Sequence, residues 1–150
     1  MARINGNTAN HLEIGTQGEK EALCYLARNG FRLLSRNWRP KGSNNRLELD
    51  LIGRWEQALV FVEVKTRRAV TADQTDEPSG LYGFTPAKQR AMLRAAHAYL
   101  AENDLWDMPC RCDLVCITLL PGLTPQVDHY RDVIEFGKAL DSGNAPWQPW

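Results

Sequence analysis

At 150 residues and 43% hydrophobic content the chain can bury one core, and no shift in composition marks a second domain. No stretch approaches the roughly 18 consecutive apolar residues of a membrane span, and the polar opening from Met1 to Gly6 lacks the apolar core of a signal peptide, so the expected location is the cytoplasm. The formal charge of zero conceals an asymmetry: residues 1–101 hold 15 Lys and Arg against 10 Asp and Glu, a balance of +5, and residues 102–150 hold 3 against 8, a balance of −5.

Residues 1–10 read as a flexible start, residues 11–140 as the folded domain and residues 141–150, with Trp147 and Trp150, as an unstructured tail. Ala22, Leu23, Leu26 and Ala27 form an apolar stripe that predicts a helix from about Asn10 to Asn29, closed by Gly30. Within it, Thr16-Gln17-Gly18-Glu19 has the spacing of a capping box, in which Glu19 would bond back to Thr16. The helical pattern extends at least a turn before Thr16, which weakens that reading. A strand around Phe31 to Arg36 and a turn at Lys41-Gly42-Ser43-Asn44-Asn45 follow.

The next two segments carry chemistry. Between Arg46 and Ile52 polar and apolar residues alternate, placing Glu48 and Asp50 on one face and Leu47, Leu49 and Leu51 on the other. From Leu59 to Lys65 the alternation sets Phe61, Glu63 and Lys65 opposite Val60, Val62 and Val64. A turn at Trp55-Glu56-Gln57-Ala58 would pair Arg54 with Leu59, set Asp50 opposite Glu63 and set Glu48 opposite Lys65. Opposed carboxylates repel, and one would take up a proton unless a cation compensates them. Carboxylate oxygens suit a hard ion such as Mg2+, with Mn2+ as an alternative, which binds one or two carboxylates and often a substrate phosphate. Lys65 could then orient or help deprotonate an attacking water, or neutralise charge on a phosphorane-like transition state. The bland alternative is a solvated hairpin face with Glu48 paired to Lys65.

Ala69 to Gly83 reads as a long polar loop, either a flap over substrate or simple disorder. Thr85 caps a second helix with Pro86 in its first position and Met92, Leu93, Ala96, Tyr99 and Leu100 as its buried stripe. Arg111 to Leu119 and Val127 to Tyr130 are strands, and Arg131 to Leu140 is a short further element. The order α-β-β-β-α-β-β predicts an α/β single domain, a mixed sheet flanked by helices on both faces.

Basic residues gather in two acid-free stretches, one with Arg28, Arg32, Arg36, Arg39, Lys41 and Arg46, the other with Lys88, Arg90 and Arg94. Gathered on one surface they would neutralise phosphates and release counterions, giving salt-sensitive nucleic-acid affinity. Ordinary solvated charge is the competing reading. Cys110, Cys112 and Cys116 fall on a strand, where an i,i+4 pair sits roughly 13 Å apart, too far for a disulfide or shared zinc. With only Cys24 otherwise available, they read as buried thiols, and His11, His97 and His129 as packed or surface residues.

The acidic residue, the variable gap and Glu63-Val64-Lys65 resemble the PD-(D/E)xK nuclease superfamily. Gly15-Thr16-Gln17-Gly18-Glu19, Asn37-Trp38-Arg39, Glu48-Leu49-Asp50-Leu51-Ile52, Val60 to Arg67 and Arg111-Cys112-Asp113 follow in order, and together resemble the YraN family over about residues 11–136. That family is similar in its core to archaeal Holliday-junction resolvases. Two positions depart from its pattern: Leu47 stands where Gly is usual, and Cys112 where Phe is usual. The resemblance implies a restriction-endonuclease-like fold and a Mg2+-dependent endonuclease, with DNA the favoured substrate. Asp50 and Glu63 would hold the metal, Lys65 would assist water, and Glu48 would support. It also makes Glu19 a candidate third acidic ligand or a base acting through water. Arg39, Arg46, Arg67, Lys88 and Gln89 become candidates for nucleic-acid contact. A noncatalytic nucleic-acid-binding protein on the same scaffold and a protein-interaction module are the alternatives, and a homodimer is left open.

Overall fold

The computed structural model describes residues 6–42, 47–71 and 83–134. Helix α1 spans Gly6–Arg28, starting earlier than the expected Asn10. It ends in a Schellman turn: the Phe31 N–H donates to the Leu26 carbonyl at 3.0 Å and the Gly30 N–H to the Ala27 carbonyl at 3.2 Å. Gly30 sits at φ +100°, which a residue with a Cβ would resist. Ala22 and Leu26 are fully buried, but Ala27, expected in the stripe, is exposed. The inward face runs instead through Gly18, Ala22 and Leu26, one residue per turn, with Ile14 and Tyr25 beside it.

Strands β1 (Arg32–Trp38), β2 (Leu49–Trp55) and β3 (Ala58–Arg68) follow, then helix α2 (Pro86–Asn103), β4 (Cys110–Leu119) and β5 (Gln126–Tyr130). The sheet order is β1-β2-β3-β4-β5, with every neighbouring pair antiparallel except β3 and β4, which are parallel and joined across α2. This is the α/β class and α-β-β-β-α-β-β order expected from the sequence.

Pairing of β2 with β3 has the anticipated register, Arg54 with Leu59 and Trp55 with Ala58, around Glu56-Gln57. Because side chains alternate, each inner strand feeds two cores. Ile52, Leu59, Phe61, Cys112, Leu114 and Cys116 pack under α2 with Met92, Leu93, Ala96, Tyr99 and Leu100, all five of the expected helix stripe. Leu51, Val60, Val62, Val115 and Ile117 pack under α1 with Ala22, Leu26 and Phe31. Each large apolar side chain so buried contributes about 1.5–3 kcal/mol. The expectation that Leu47, Leu49 and Leu51 share a face is corrected: Leu47 and Leu49 join the α2 core and Leu51 the α1 core. Strict alternation is therefore not kept between Leu49 and Leu51, although both pair with β1.

Asp113 anchors the α1 side. It is fully buried and accepts hydrogen bonds from Arg111 Nε (3.0 Å), His129 Nε2 (2.8 Å) and the Asp132 N–H (3.0 Å). Burial opposes its charge, but these donors outweigh the penalty and hold its carboxyl below the usual range. His129 is therefore a packed residue, reaching Tyr25 of α1 at 3.3 Å and stacking on Trp55.

Arg46, residues 43–45 of the expected turn, 72–82 of the expected flap loop, 135–140 of the expected element after β5 and the tail 141–150 lie outside the described residues. Residues 131–134 carry no helix or strand. Among the described residues no helix is long and apolar enough to cross a membrane, and all four cysteines are free thiols.

Candidate active site

The ladder between β2 and β3 closes with Leu51 opposite Val62. One residue further, the Asp50 carboxylate takes over a backbone role, accepting the Val64 N–H at Oδ2 over 2.8 Å. Here Asp50, Glu63 and Glu48 line a single cavity of about 200 Å³ whose other wall is Lys88, Ala91 and Met92 of α2. Lys65 reaches back along β3 to Glu63, Nζ to Oε1 3.0 Å. Glu48 does not pair with Lys65, as the hairpin register suggested; Arg39 takes it with Nε at 2.9 Å and Nη2 at 2.6 Å. The reason lies in β1, whose end at Trp38 pairs with Leu49 and delivers the next residue, Arg39, beside Glu48.

Helix α1 closes the site from the other side. A Cβ on Gly18 would land on the Thr66 side chain, so glycine is what lets the helix press against β3. That contact brings the adjacent Glu19 into the field of Glu48 and Glu63. The capping-box reading fails: Thr16 lies well inside a helix that starts at Gly6, and its hydroxyl donates to the Leu12 carbonyl at 2.9 Å. Glu19 is approached instead by Arg36 and hydrogen-bonded by Asn37. Asn37 stands in the left-handed region at φ 48°, a conformation asparagine tolerates better than most residues.

The electrostatics are those of crowded acids. Burial first, and Glu63 second, push the Asp50 carboxyl up to about 7 against the opposing pull of the Val64 hydrogen bond. Burial also raises Glu19, with Arg36 opposing and Glu48 and Glu63 adding to the rise. Burial works against the charge on Lys65, but its hydrogen bond to Lys88 and the Glu63 and Asp50 carboxylates outweigh it and raise Lys65. Lys88 is lowered, by the hydrogen bond from Lys65 first and then by burial.

Asp50 and Glu63 could offer hard oxygen donors of the kind a divalent cation takes. Among the described residues no three His, Cys, Asp or Glu side chains converge as a ready-made metal cage. Two carboxylates suffice for magnesium, which fills its remaining positions with water and phosphate. Of the candidates for nucleic-acid contact, Lys88 lines the cavity, and Arg39 stands at its edge on Glu48. Arg67 lies two residues beyond Lys65 with its Nε on Thr118 Oγ1 at 3.1 Å. The Gln89 side chain is turned away, donating to the Phe84 carbonyl at 3.0 Å, as part of the helix start rather than the site. Sequence reasoning did not single out Asn37 or Arg36 as site residues, nor the meeting of Lys65 with Lys88. The segment Asn37-Trp38-Arg39 of the family pattern was the available signal for the first.

The protein is therefore an α/β domain with a cluster of acids and two lysines at the open end of a β-hairpin, between two helices. Residues 18–117 match the model of the family described as uncharacterised protein family UPF0102. The chain is 40% identical over 141 residues to a UPF0102 protein of Lawsonia intracellularis, covering 92% of this chain and 97% of that one. It is 41% identical over 136 residues to one of Nitratidesulfovibrio vulgaris, covering 91% and 94%. It is 44% identical to one of Oleidesulfovibrio alaskensis, covering 99% of this chain and 98% of that one. This chain belongs to the UPF0102 family, also known as the YraN family.

Proposed function

We propose that this protein is a magnesium-dependent phosphodiesterase that cuts nucleic acid internally, with DNA the favoured substrate. The observation that carries the reading is the Asp50–Glu63 pair: two carboxylates in one cavity, one of them pushed up to about 7, with a lysine on Glu63 at 3.0 Å. A purely structural pair of this kind would carry a desolvation and repulsion cost that Lys65 and the Val64 amide only partly offset. As a cation site it becomes a binding device, and the order of elements is the one that the resemblance to PD-(D/E)xK nucleases implies.

Asp50 and Glu63 would hold the ion, which when bound polarises a phosphate oxygen and makes a water more acidic. Asp50 is kept in place by the Val64 amide, so little reorganisation is needed on loading. Lys65, tied to Glu63, would stand where an attacking water is oriented and where negative charge grows in the transition state. Glu48, neutralised by Arg39, would shape the cavity wall, and Glu19 would act from the rim through water. The basic balance of residues 1–101 supports a polyanionic substrate.

The test is a cleavage assay over labelled duplex, single-stranded and branched DNA and over RNA, with magnesium, manganese or chelator. Metal-dependent cutting of any of these supports the reading, and the preferred substrate fixes its class. Salt-sensitive binding with no cutting under any metal would transfer the protein to noncatalytic nucleic-acid binding. Absence of binding would leave the interaction-module alternative.

A further inference from the structure

Two lysines stand at this site, and only one has a carboxylate at ion-pair distance. Lys65 is engaged by Glu63 at 3.0 Å, whereas among the described residues no carboxylate stands within ion-pair distance of Lys88. Lys88 nevertheless lines the cavity opposite Asp50 and Glu63, within the electrostatic reach of Lys65. Its position is built by the helix start. Thr85, extended at φ −66° and ψ 160°, caps α2 by accepting the Lys88 N–H at 3.3 Å, and Pro86 opens the first turn. That fixes Lys88 in the first turn, which carries no acidic residue and whose dipole favours an anion. Gln89, the neighbouring polar side chain, is withdrawn to Phe84. A lysine with no carboxylate at ion-pair distance, in the first turn of a helix and across a cavity from two carboxylates, calls for an anion that arrives with the substrate.

We propose that Lys88 contacts a non-bridging oxygen of the phosphodiester to be cut, while Lys65 remains with Glu63 and the water. The inference rests on the phosphodiesterase reading above and divides the labour of the two lysines. One side of the phosphate would face the cation on Asp50 and Glu63, and the other would face α2. Lysine suits the task because it presents a compact charge without demanding a bidentate partner.

The experiment uses the full chain in two backgrounds. Binding of a fluorescein-labelled oligonucleotide is followed by anisotropy at several salt concentrations in magnesium, with Asp50→Asn present throughout to prevent cutting. Removing one phosphate contact lowers the slope of log affinity against log salt by about 0.9 for duplex DNA, so Lys88→Ala is expected to lose that amount and Lys88→Arg to keep it. In the otherwise unaltered chain, Lys88→Ala is expected to slow cutting roughly a hundredfold, as loss of one transition-state donor does. A charge-neutral methylphosphonate at the cut position is expected to abolish the difference in binding between Lys88 and Lys88→Ala. If that difference persists, Lys88 belongs to another phosphate and the inference is overturned. Normal cutting and an unchanged slope in Lys88→Ala would overturn it while leaving the phosphodiesterase reading intact. A slope lowered by about 0.9 in a chain that cuts nothing under any metal would uphold the contact and remove the hydrolytic reading. No binding by the chain with Lys88 in place would overturn both. Lys88 is on the surface of a helix and alanine favours helix, so an unchanged unfolding midpoint is expected to accompany these effects.

Discussion

The Val64 amide donates to Asp50 Oδ2 at 2.8 Å, just past the last β2–β3 pair, Leu51 with Val62. One side chain thus does the work of a missing ladder bond and, by the same contact, is held next to Glu63. The hydrogen bond favours the charged carboxylate, while burial and Glu63 oppose it more strongly, which leaves Asp50 poised near neutrality.

That balance sets a pH dependence. In the unfolded chain Asp50 releases its proton near 3.8, and in the native protein near about 7. Between those values the native protein holds the extra proton, so this group makes stability fall as pH rises, by up to about 1.4 kcal/mol per pH unit. The thermal midpoint is expected to drop between pH 5 and pH 8, and Asp50→Asn is expected to flatten that drop. Magnesium should raise the midpoint more at pH 8 than at pH 5, because cation and proton compete for one carboxylate. An equally steep drop in Asp50→Asn would place the titration elsewhere.

The neighbouring acids should move that titration in a fixed order. Glu63 raises Asp50 most, Glu19 next and Glu48 least of the three. Carboxyl titration followed by NMR is expected to show Asp50 shifted downward by Glu63→Gln, and by a smaller amount in Glu19→Gln. A larger shift from Glu19→Gln would mean that Glu19 acts on Asp50 more strongly than Glu63 does.

Gly18 is expected to be a sensitive position in α1. Gly18→Ala improves helix propensity, yet its Cβ would meet Thr66, and overpacking of this kind costs about 1–3 kcal/mol. Denaturant unfolding should show destabilisation, partly relieved by Thr66→Ala. Because the helix must retreat, the pH response of Glu19 should weaken as well. A stabilised Gly18→Ala variant would show that α1 does not press on β3 there.

How much was legible in the sequence follows from what each signal reports. Period-two alternation with a turn between fixed the hairpin register down to Arg54 with Leu59, and Thr85-Pro86 marked the start of α2 correctly. These are local signals. What went unread was set by elements distant in sequence. Arg39 takes Glu48 because β1 folds alongside β2, and Lys88 meets Lys65 because α2 crosses over the sheet. Leu49 and Leu51 pack into different cores, under α2 and under α1, which strand alternation alone does not reveal. The capping-box spacing at Thr16 was a coincidence within a longer helix, which only the start at Gly6 exposes.

The buried Asp113 cluster offers a control away from the site. Its carboxyl is lowered by the bonds from His129, Asp132 and Arg111, so it stabilises the protein above the usual Asp range, and that stability is lost as pH falls through its native value. Asp113→Ala leaves the half-buried Arg111 and the packed His129 without their anion and is expected to cost about 3–5 kcal/mol in denaturant unfolding. The neutral-pH response assigned to Asp50 should survive in any Asp113 variant that folds.

The most direct measurement is single-turnover cutting of the preferred nucleic acid by the unaltered chain and by Asp50→Asn, Glu63→Gln and Lys65→Ala, in magnesium and in chelator. The expected result is cutting by the unaltered chain in magnesium only, with each variant slowed at least roughly a hundredfold while still folded. Cutting that persists in all three variants, or in chelator, would contradict a cation held by Asp50 and Glu63 beside Lys65.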